Sequence, residues 1–84
     1  MSLDEQFADA QKRVKTLSAA PPPESLLKLY SLFKQATVGD ATGKRPGMMD
    51  FRNRAKFDAW TSLKGTASDA AKQQYVAFVD SLVG

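Results

Sequence analysis

The chain of 84 residues contains no cysteine and no histidine. Without cysteine it can form neither disulfides nor zinc–thiolate sites, and it has no thiol nucleophile. Without histidine it lacks the most common general base and metal ligand near neutral pH. Isoleucine is also missing, and five valines stand against twelve alanines and eight leucines, a composition typical of helices rather than strands. The absences disfavour an enzyme and indicate an all-α protein.

Long apolar runs are absent as well. The longest stretch without a charged residue runs from Thr16 to Pro23, whereas a membrane-spanning helix needs about 20 apolar residues. The first residues are acidic and polar, unlike the basic start and apolar centre of a secretory signal. We therefore predict one domain over residues 1–84, cytoplasmic and without stable membrane insertion.

Four segments carry the apolar spacing of helices, at about residues 4–17, 23–38, 51–63 and 67–83. Ser2 and Glu5 have the spacing of a capping box before the first helix. Thr66 has the residue type of an N-cap for the fourth. Gly39 and Gly65 suit the left-handed position that ends a helix. The expected fold is a four-helix bundle with a long crossover between the second and third helices.

The second predicted helix is apolar on most of its sides. Its apolar residues are Leu26, Leu27, Leu29, Tyr30, Leu32, Phe33 and Ala36. A helix of this kind either lies at the centre of the fold or lends one face to a ligand.

The middle of the chain is basic. From Lys28 to Lys64 there are eight basic and three acidic residues, and the aromatic residues Tyr30, Phe33, Phe51 and Phe57 are interleaved with them. This pattern suits an anionic ligand with a planar group, but composition alone favours solvated helix faces above a core of aromatic residues.

The crossover contains a pair of methionines and a pair of basic residues. Met48 and Met49 either form an adaptable wall of a groove or fill the core. Lys44 and Arg45 are interpreted as solubilising loop charges outside any site, and Trp60 as a core residue.

Several blocks of the chain are very similar to the signature of the acyl-CoA-binding protein family. They are Leu29–Asp40, Arg45–Phe51, Ala55–Trp60 and Leu63–Gly65, and Phe7, Val14, Lys15 and Tyr75 also fall at the family's spacings. The resemblance implies a bundle that runs up-down-down-up and binds medium- and long-chain fatty acyl-CoA thioesters. It also implies a monomeric intracellular carrier that maintains an acyl-CoA pool for lipid metabolism and catalyses no reaction.

The resemblance assigns roles to individual positions. Those expected to contact the CoA phosphates or adenine are Lys15, Tyr30, Phe33, Lys34, Arg52, Lys56 and Tyr75. Those expected to form the acyl groove are Phe7, Val14, Leu26 and Leu27. Within the first set, the resemblance places Tyr30, Lys34 and Lys56 at the ribose 3′-phosphate. Phe33 stands where the family usually has tyrosine, and Phe57 replaces one of its paired tryptophans.

Spacing supports part of this assignment independently. Tyr30 and Lys34 are four residues apart and share a helix face, so a hydroxyl and an ammonium group there can donate to one phosphate. Lys56 comes from the third helix, so the three groups meet only in the folded bundle.

Other functions fit parts of the pattern. A helical protein-interaction module would use the basic face to meet an acidic partner, and a nonspecific nucleic-acid binder would show steep salt dependence. An enzyme is the weakest alternative, because no nucleophile–base pair can be assembled. We expect acyl-CoA as ligand, acyl-CoA-using enzymes as transient partners, and neither a cofactor, a metal nor nucleic acid.

Overall fold

The computed structural model describes residues 1–83, and four helices account for most of them. The helices are α1 (Leu3–Val14), α2 (Pro23–Thr37), α3 (Phe51–Thr61) and α4 (Ser68–Val83). Residues 1–83 contain no strand, so the predicted all-α class is confirmed. None of the helices within this range has the length and apolar character needed to cross a membrane.

Ion pairs show that α1 and α4 run in the same direction. Near the start of both helices, the Lys72 ammonium lies 2.6 Å from a carboxylate oxygen of Asp4. Later in both, the Arg13 guanidinium lies 2.6 Å from Asp80. The two helices are therefore parallel and in contact along their length.

The helix α2 packs against α4 in the opposite direction. The Lys28 ammonium, early in α2, lies 4.5 Å from the centre of the Phe78 ring, late in α4. At the other end, the Ser68 hydroxyl donates to the carbonyl of Ala36 over 2.6 Å. With α3 packed on α2 in parallel, as described below, the up-down-down-up order is confirmed.

The start of α1 has the predicted capping box. The Glu5 N–H donates to the Ser2 hydroxyl, and the Ser2 N–H donates to the Glu5 carboxylate, both over 3.2 Å. Hydrogen bonding from the Ser2 backbone N–H, and then from the Ser2 hydroxyl, holds the pKa of the Glu5 carboxyl below its ordinary value. Two backbone N–H groups at this helix end thereby have side-chain partners.

Five helix ends differ from the prediction. The helix α1 begins at Leu3 rather than residue 4, and α2 ends at Thr37 rather than residue 38. The helix α1 ends at Val14 rather than residue 17, because the N–H of Thr16 bonds to the carbonyl of Arg13, three residues back, in a tighter last turn. Similarly, α3 ends at Thr61 rather than residue 63. The helix α4 begins at Ser68, one residue later than predicted, and Thr66 is not its N-cap. The glycines at 39 and 65 have φ of 97° and 90°, as expected for helix-ending positions.

The core is built from three of the four helices. Its buried apolar residues are Phe7, Ala10, Leu29, Leu32, Ala36, Ala71, Tyr75 and Val79. They lie on α1, α2 and α4, whereas α3 has no buried residue. The helix α3 therefore depends on α2 and on connections at its ends for its position.

A polar network joins the end of α2 to the connection between α3 and α4. The Gln35 side chain is 1% exposed, and its Nε2 donates to Asp40 Oδ1 and to the Thr66 carbonyl, each over 2.8 Å. The Gly65 N–H donates to the same Asp40 oxygen over 2.9 Å. We call Gln35, Asp40, Gly65 and Thr66 the polar network.

Two further contacts attach α3 to the segments before it. The Trp60 indole N–H donates to the Gly39 carbonyl over 2.7 Å. The Arg45 guanidinium makes two hydrogen bonds to the Asp58 carboxylate, of 2.8 and 2.5 Å. The interpretation of Arg45 as a solubilising loop charge is therefore wrong, because Arg45 pairs the crossover with α3.

We predict that Leu32→Ala destabilises the fold by about 2–5 kcal/mol, because the side chain is fully buried and its removal leaves a cavity. Urea unfolding followed by circular dichroism measures the change. The control is Val38→Ala, which truncates a side chain 61% exposed and should change stability by less than about 0.5 kcal/mol. Equal effects of the two changes would contradict this description of the core.

We predict that Asp40→Asn weakens the fold at neutral pH and has less effect in acid. Hydrogen bonds from Gly65 and Gln35 hold the pKa of the Asp40 carboxyl below its ordinary value. The ionised group therefore stabilises the fold at neutral pH, and this contribution is lost as pH falls through the folded-state pKa. Urea unfolding of both proteins at pH 7 and near pH 3 tests it. An equal loss of stability in Asp40→Asn at both pH values would contradict the prediction. The control is Glu24→Gln, which changes an exposed carboxylate.

Candidate functional site

A groove of about 340 Å³ lies between α2 and α3. Its lining residues are Pro23, Leu26, Leu27, Tyr30, Phe51, Arg52, Ala55 and Lys56. This volume falls within the range of about 300–1,000 Å³ typical of small-molecule sites.

Helical spacing explains why these residues face each other. On α2 the lining positions are 23, 26, 27 and 30, and on α3 they are 51, 52, 55 and 56. Each set recurs every three to four residues and forms one stripe along its helix. The groove therefore lies between these two stripes, one on α2 and the other on α3.

Positive charge lies beside the end of the groove nearer the centre of α2. The Lys56 ammonium lies 5.4 Å from the centre of the Tyr30 ring. The Lys34 ammonium lies 5.8 Å from the same ring and 5.6 Å from the centre of the Trp60 ring. These contacts pair successive turns of α2 with successive turns of α3, so the two helices run in parallel.

Both ammonium groups are available to an anion. Within residues 1–83 neither Lys34 nor Lys56 has a carboxylate within 4.0 Å, whereas Arg13, Arg45 and Lys72 each form an ion pair. An ammonium above an aromatic face retains its charge and its N–H donors. The Tyr30 ring thus has two positive charges without a carboxylate partner close to it.

The other end of the groove is mainly apolar. It is lined by Pro23 and Leu26 on α2 and by Phe51 and the adjacent Arg52 on α3, with Leu27 and Ala55 further along. Phe51 is 74% exposed and Leu26 is 49% exposed, so this end is open to solvent. The groove therefore offers mainly apolar surface, with Arg52 beside Phe51 at one end and the ammonium groups of Lys34 and Lys56 near the other.

The structure brings together six of the residues predicted for the site. Leu26, Leu27, Tyr30, Arg52 and Lys56 line the groove, and Lys34 lies beside it. Pro23, Phe51 and Ala55 were not predicted. The spacing of Phe51 with Ala55 and of Arg52 with Lys56, four residues in each case, is the signal that could have identified an apolar and basic face on α3.

The other five predicted residues do not line this groove. Phe7 is buried in the core, where its ring lies 6.1 Å from that of Phe33 and 5.0 Å from that of Tyr75. Burial raises the pKa of the Tyr75 hydroxyl. Val14 packs against this core from α1, and Lys15 is exposed at the end of that helix. A role for these residues in ligand binding stays a prediction.

A second cavity of about 320 Å³ lies between α2 and α4 and is lined by Lys28, Gln74, Ala77, Phe78 and Ser81. Its lining is mixed in polarity, and its ammonium group is stacked on Phe78. Among residues 1–83 no group of three or more carboxylate, histidine or cysteine side chains is arranged to hold a metal. The groove between α2 and α3 is therefore the better candidate site.

Comparison with known proteins relates nearly the whole chain to one family. The sequence model of the family described as acyl-CoA-binding protein matches residues 4–79. The acyl-CoA-binding protein homolog 1 of Caenorhabditis elegans is 52% identical over 77 residues, which cover 92% of this chain and 90% of that protein. The homolog from Drosophila melanogaster is 46% identical over 81 residues, covering 96% and 94% of the two chains.

Solved structures show the same likeness in three dimensions. The crystal structure of acyl-CoA-binding protein 2 from Oryza sativa superposes with a TM-score of 0.92 at 38% identity, covering 96% of this chain and 88% of the other. The crystal structure from Moniliophthora perniciosa gives a TM-score of 0.84 at 43% identity, covering 93% and 76%.

Proposed function

The chain belongs to the acyl-CoA-binding protein family, and from this premise we propose that it binds fatty acyl-CoA thioesters and catalyses no reaction on them. The observation that carries the proposal is the change of character along the groove, from an apolar wall to two ammonium groups around Tyr30. An acyl-CoA has the same division, with an apolar chain at one end and anionic phosphates at the other.

In this proposal Tyr30, Lys34 and Lys56 hold a phosphate of CoA. A hydroxyl and two ammonium groups provide donors from two helices, and charge-assisted hydrogen bonds to phosphate are about twice as strong as neutral ones. Arg52, which lines the same groove, supplies a further positive charge. The site needs α3 in place, because Arg52 and Lys56 come from that helix.

The acyl chain occupies the apolar part of the groove, against Leu26, Leu27, Phe51 and Ala55. Burying about ten methylene groups at about 0.8 kcal/mol each contributes about 8 kcal/mol before association costs. This contribution supports a preference for medium- and long-chain thioesters over free CoA.

The remaining predicted residues have a different proposed role. Phe33 is half-buried and lies against Phe7, which in turn contacts Tyr75. We propose that Phe33 offers its ring to the adenine and that Phe7 and Tyr75 support it from the core. Lys15 is a further charge for the CoA phosphates, and Val14 adds apolar surface on α1.

We propose that in the cell the protein is a cytoplasmic monomer that requires no cofactor. Its role is to maintain a pool of acyl-CoA and to exchange acyl-CoA with lipid-metabolising enzymes through transient encounters. The alternative is a helical interaction module, in which Lys34 and Lys56 meet an acidic protein. The apolar wall beside these two residues favours the amphipathic ligand.

We predict that palmitoyl-CoA binds with one-to-one stoichiometry and far more tightly than CoA or palmitate, because only the thioester uses both ends of the groove. Isothermal titration calorimetry with the three compounds measures this. Tight binding of free CoA, or no binding of the thioester, would contradict the proposal. The second outcome would favour the interaction module.

We predict that Lys56→Ala and Tyr30→Phe each weaken palmitoyl-CoA binding by roughly tenfold, because each removes a donor to the phosphate. Thermal unfolding should show that both variants retain the fold. Lys44→Ala is the control, since Lys44 is exposed in the crossover and does not line the groove. An unchanged affinity for either site variant would remove that residue from the site.

A further inference from the structure

Three large apolar side chains are exposed together where the crossover enters α3. Met48, Met49 and Phe51 are 75%, 88% and 74% exposed. We call these three residues the apolar tip. The other exposed large apolar residues of the described chain are spread among different segments, at Met1, Leu26, Val38 and Val83. Single exposed apolar residues are ordinary on protein surfaces, whereas a cluster of them indicates contact with something apolar.

The backbone holds the apolar tip away from the core. The Asp50 N–H donates to the Gly47 carbonyl over 3.0 Å, which closes a turn with Met48 and Met49 at its two corner positions. The next residue, Phe51, begins α3. The idea that these methionines fill the core is therefore wrong, and neither lines the groove.

The apolar tip adjoins the open, apolar end of the groove. Phe51 belongs to both, and Leu26, half exposed, lies on the opposite wall. The ammonium groups of Lys34 and Lys56 mark the other end. A surface in contact with the apolar tip would therefore face the apolar entrance.

The flanks of the apolar tip are positively charged. Over residues 44–58 there are five basic residues, Lys44, Arg45, Arg52, Arg54 and Lys56, and two acidic ones, Asp50 and Asp58. The Asp58 carboxylate pairs with Arg45. Asp50 accepts a hydrogen bond over 2.9 Å from the Asn53 amide, which carries no charge, so four basic residues stand against one acidic residue. The unmatched charge around the tip is positive.

We propose that the apolar tip docks this protein on the surface of an anionic lipid bilayer. Exposed apolar side chains with basic neighbours are the combination that binds such surfaces, because the former enter the interface between headgroups and acyl chains while the latter meet the lipid phosphates and carboxylates. Unbranched methionine adapts readily to an irregular apolar environment. Docking in this orientation turns the apolar end of the groove toward the bilayer.

The docking does not rest on the proposed function, because it is measured with the protein free of acyl-CoA. The experiment is cosedimentation with vesicles of phosphatidylcholine alone and of phosphatidylcholine with 30% phosphatidylserine, at low ionic strength. The test variant is the double change M48S/M49S, and the matched control is V38S/V83S, which alters two exposed apolar residues elsewhere.

The expected result is that the wild type and V38S/V83S bind the phosphatidylserine vesicles, and that M48S/M49S binds them at least tenfold more weakly. Binding to phosphatidylcholine alone should be weak, and added salt should reduce binding to the anionic vesicles. Because neither methionine lines the groove, M48S/M49S should bind palmitoyl-CoA in solution as the wild type does.

Four results would overturn the proposal. Two concern the wild type, namely no binding to the anionic vesicles or equal binding to both kinds of vesicle. The other two concern M48S/M49S. It could bind the anionic vesicles as tightly as the wild type does, or it could lose affinity for palmitoyl-CoA, which would assign the methionines to the ligand site. A fifth is a dimer, measured by sedimentation equilibrium, that M48S/M49S dissociates, because a second copy would then cover the tip.

Discussion

The position of α3 depends on the polar network at the end of α2. No residue of α3 is buried, so core packing alone does not hold this helix. The Gln35 amide, itself buried, ties Asp40 at the start of the crossover to Thr66 beyond the end of α3, and the Trp60 indole adds a bond to Gly39. Since Arg52 and Lys56 lie on α3, these few hydrogen bonds determine whether the groove has a positively charged end.

The two apolar faces of α2 serve different purposes. Leu29 and Leu32 are buried against the rest of the core, while Leu26, Leu27 and Tyr30 line the groove. One helix thus joins the stable part of the bundle, formed by α1, α2 and α4, to the more weakly held α3. A ligand that contacts both walls of the groove would add the apolar contact that α3 lacks, and binding and the position of α3 are thermodynamically linked.

The helices, their order and part of the site could be predicted from periodicity, capping residues and family resemblance. One apolar face of α2 is buried in the core and another lines the groove, a division that a pattern of residue types alone does not indicate. The pairing of Arg45 with Asp58 joins residues 13 apart through a crossover without periodicity, so no local rule predicts it. The exposure of Met48 and Met49 depends on a turn whose sequence does not specify which way it points.

In the proposed complex, an acyl-CoA lies between α2 and α3. Intermolecular nuclear Overhauser effects between bound palmitoyl-CoA and the side-chain protons of the protein test it most directly. We expect the acyl protons to show contacts to Leu27 and Ala55, from opposite walls of the groove. Contacts confined to Ala77 and Phe78, in the cavity between α2 and α4, would contradict it.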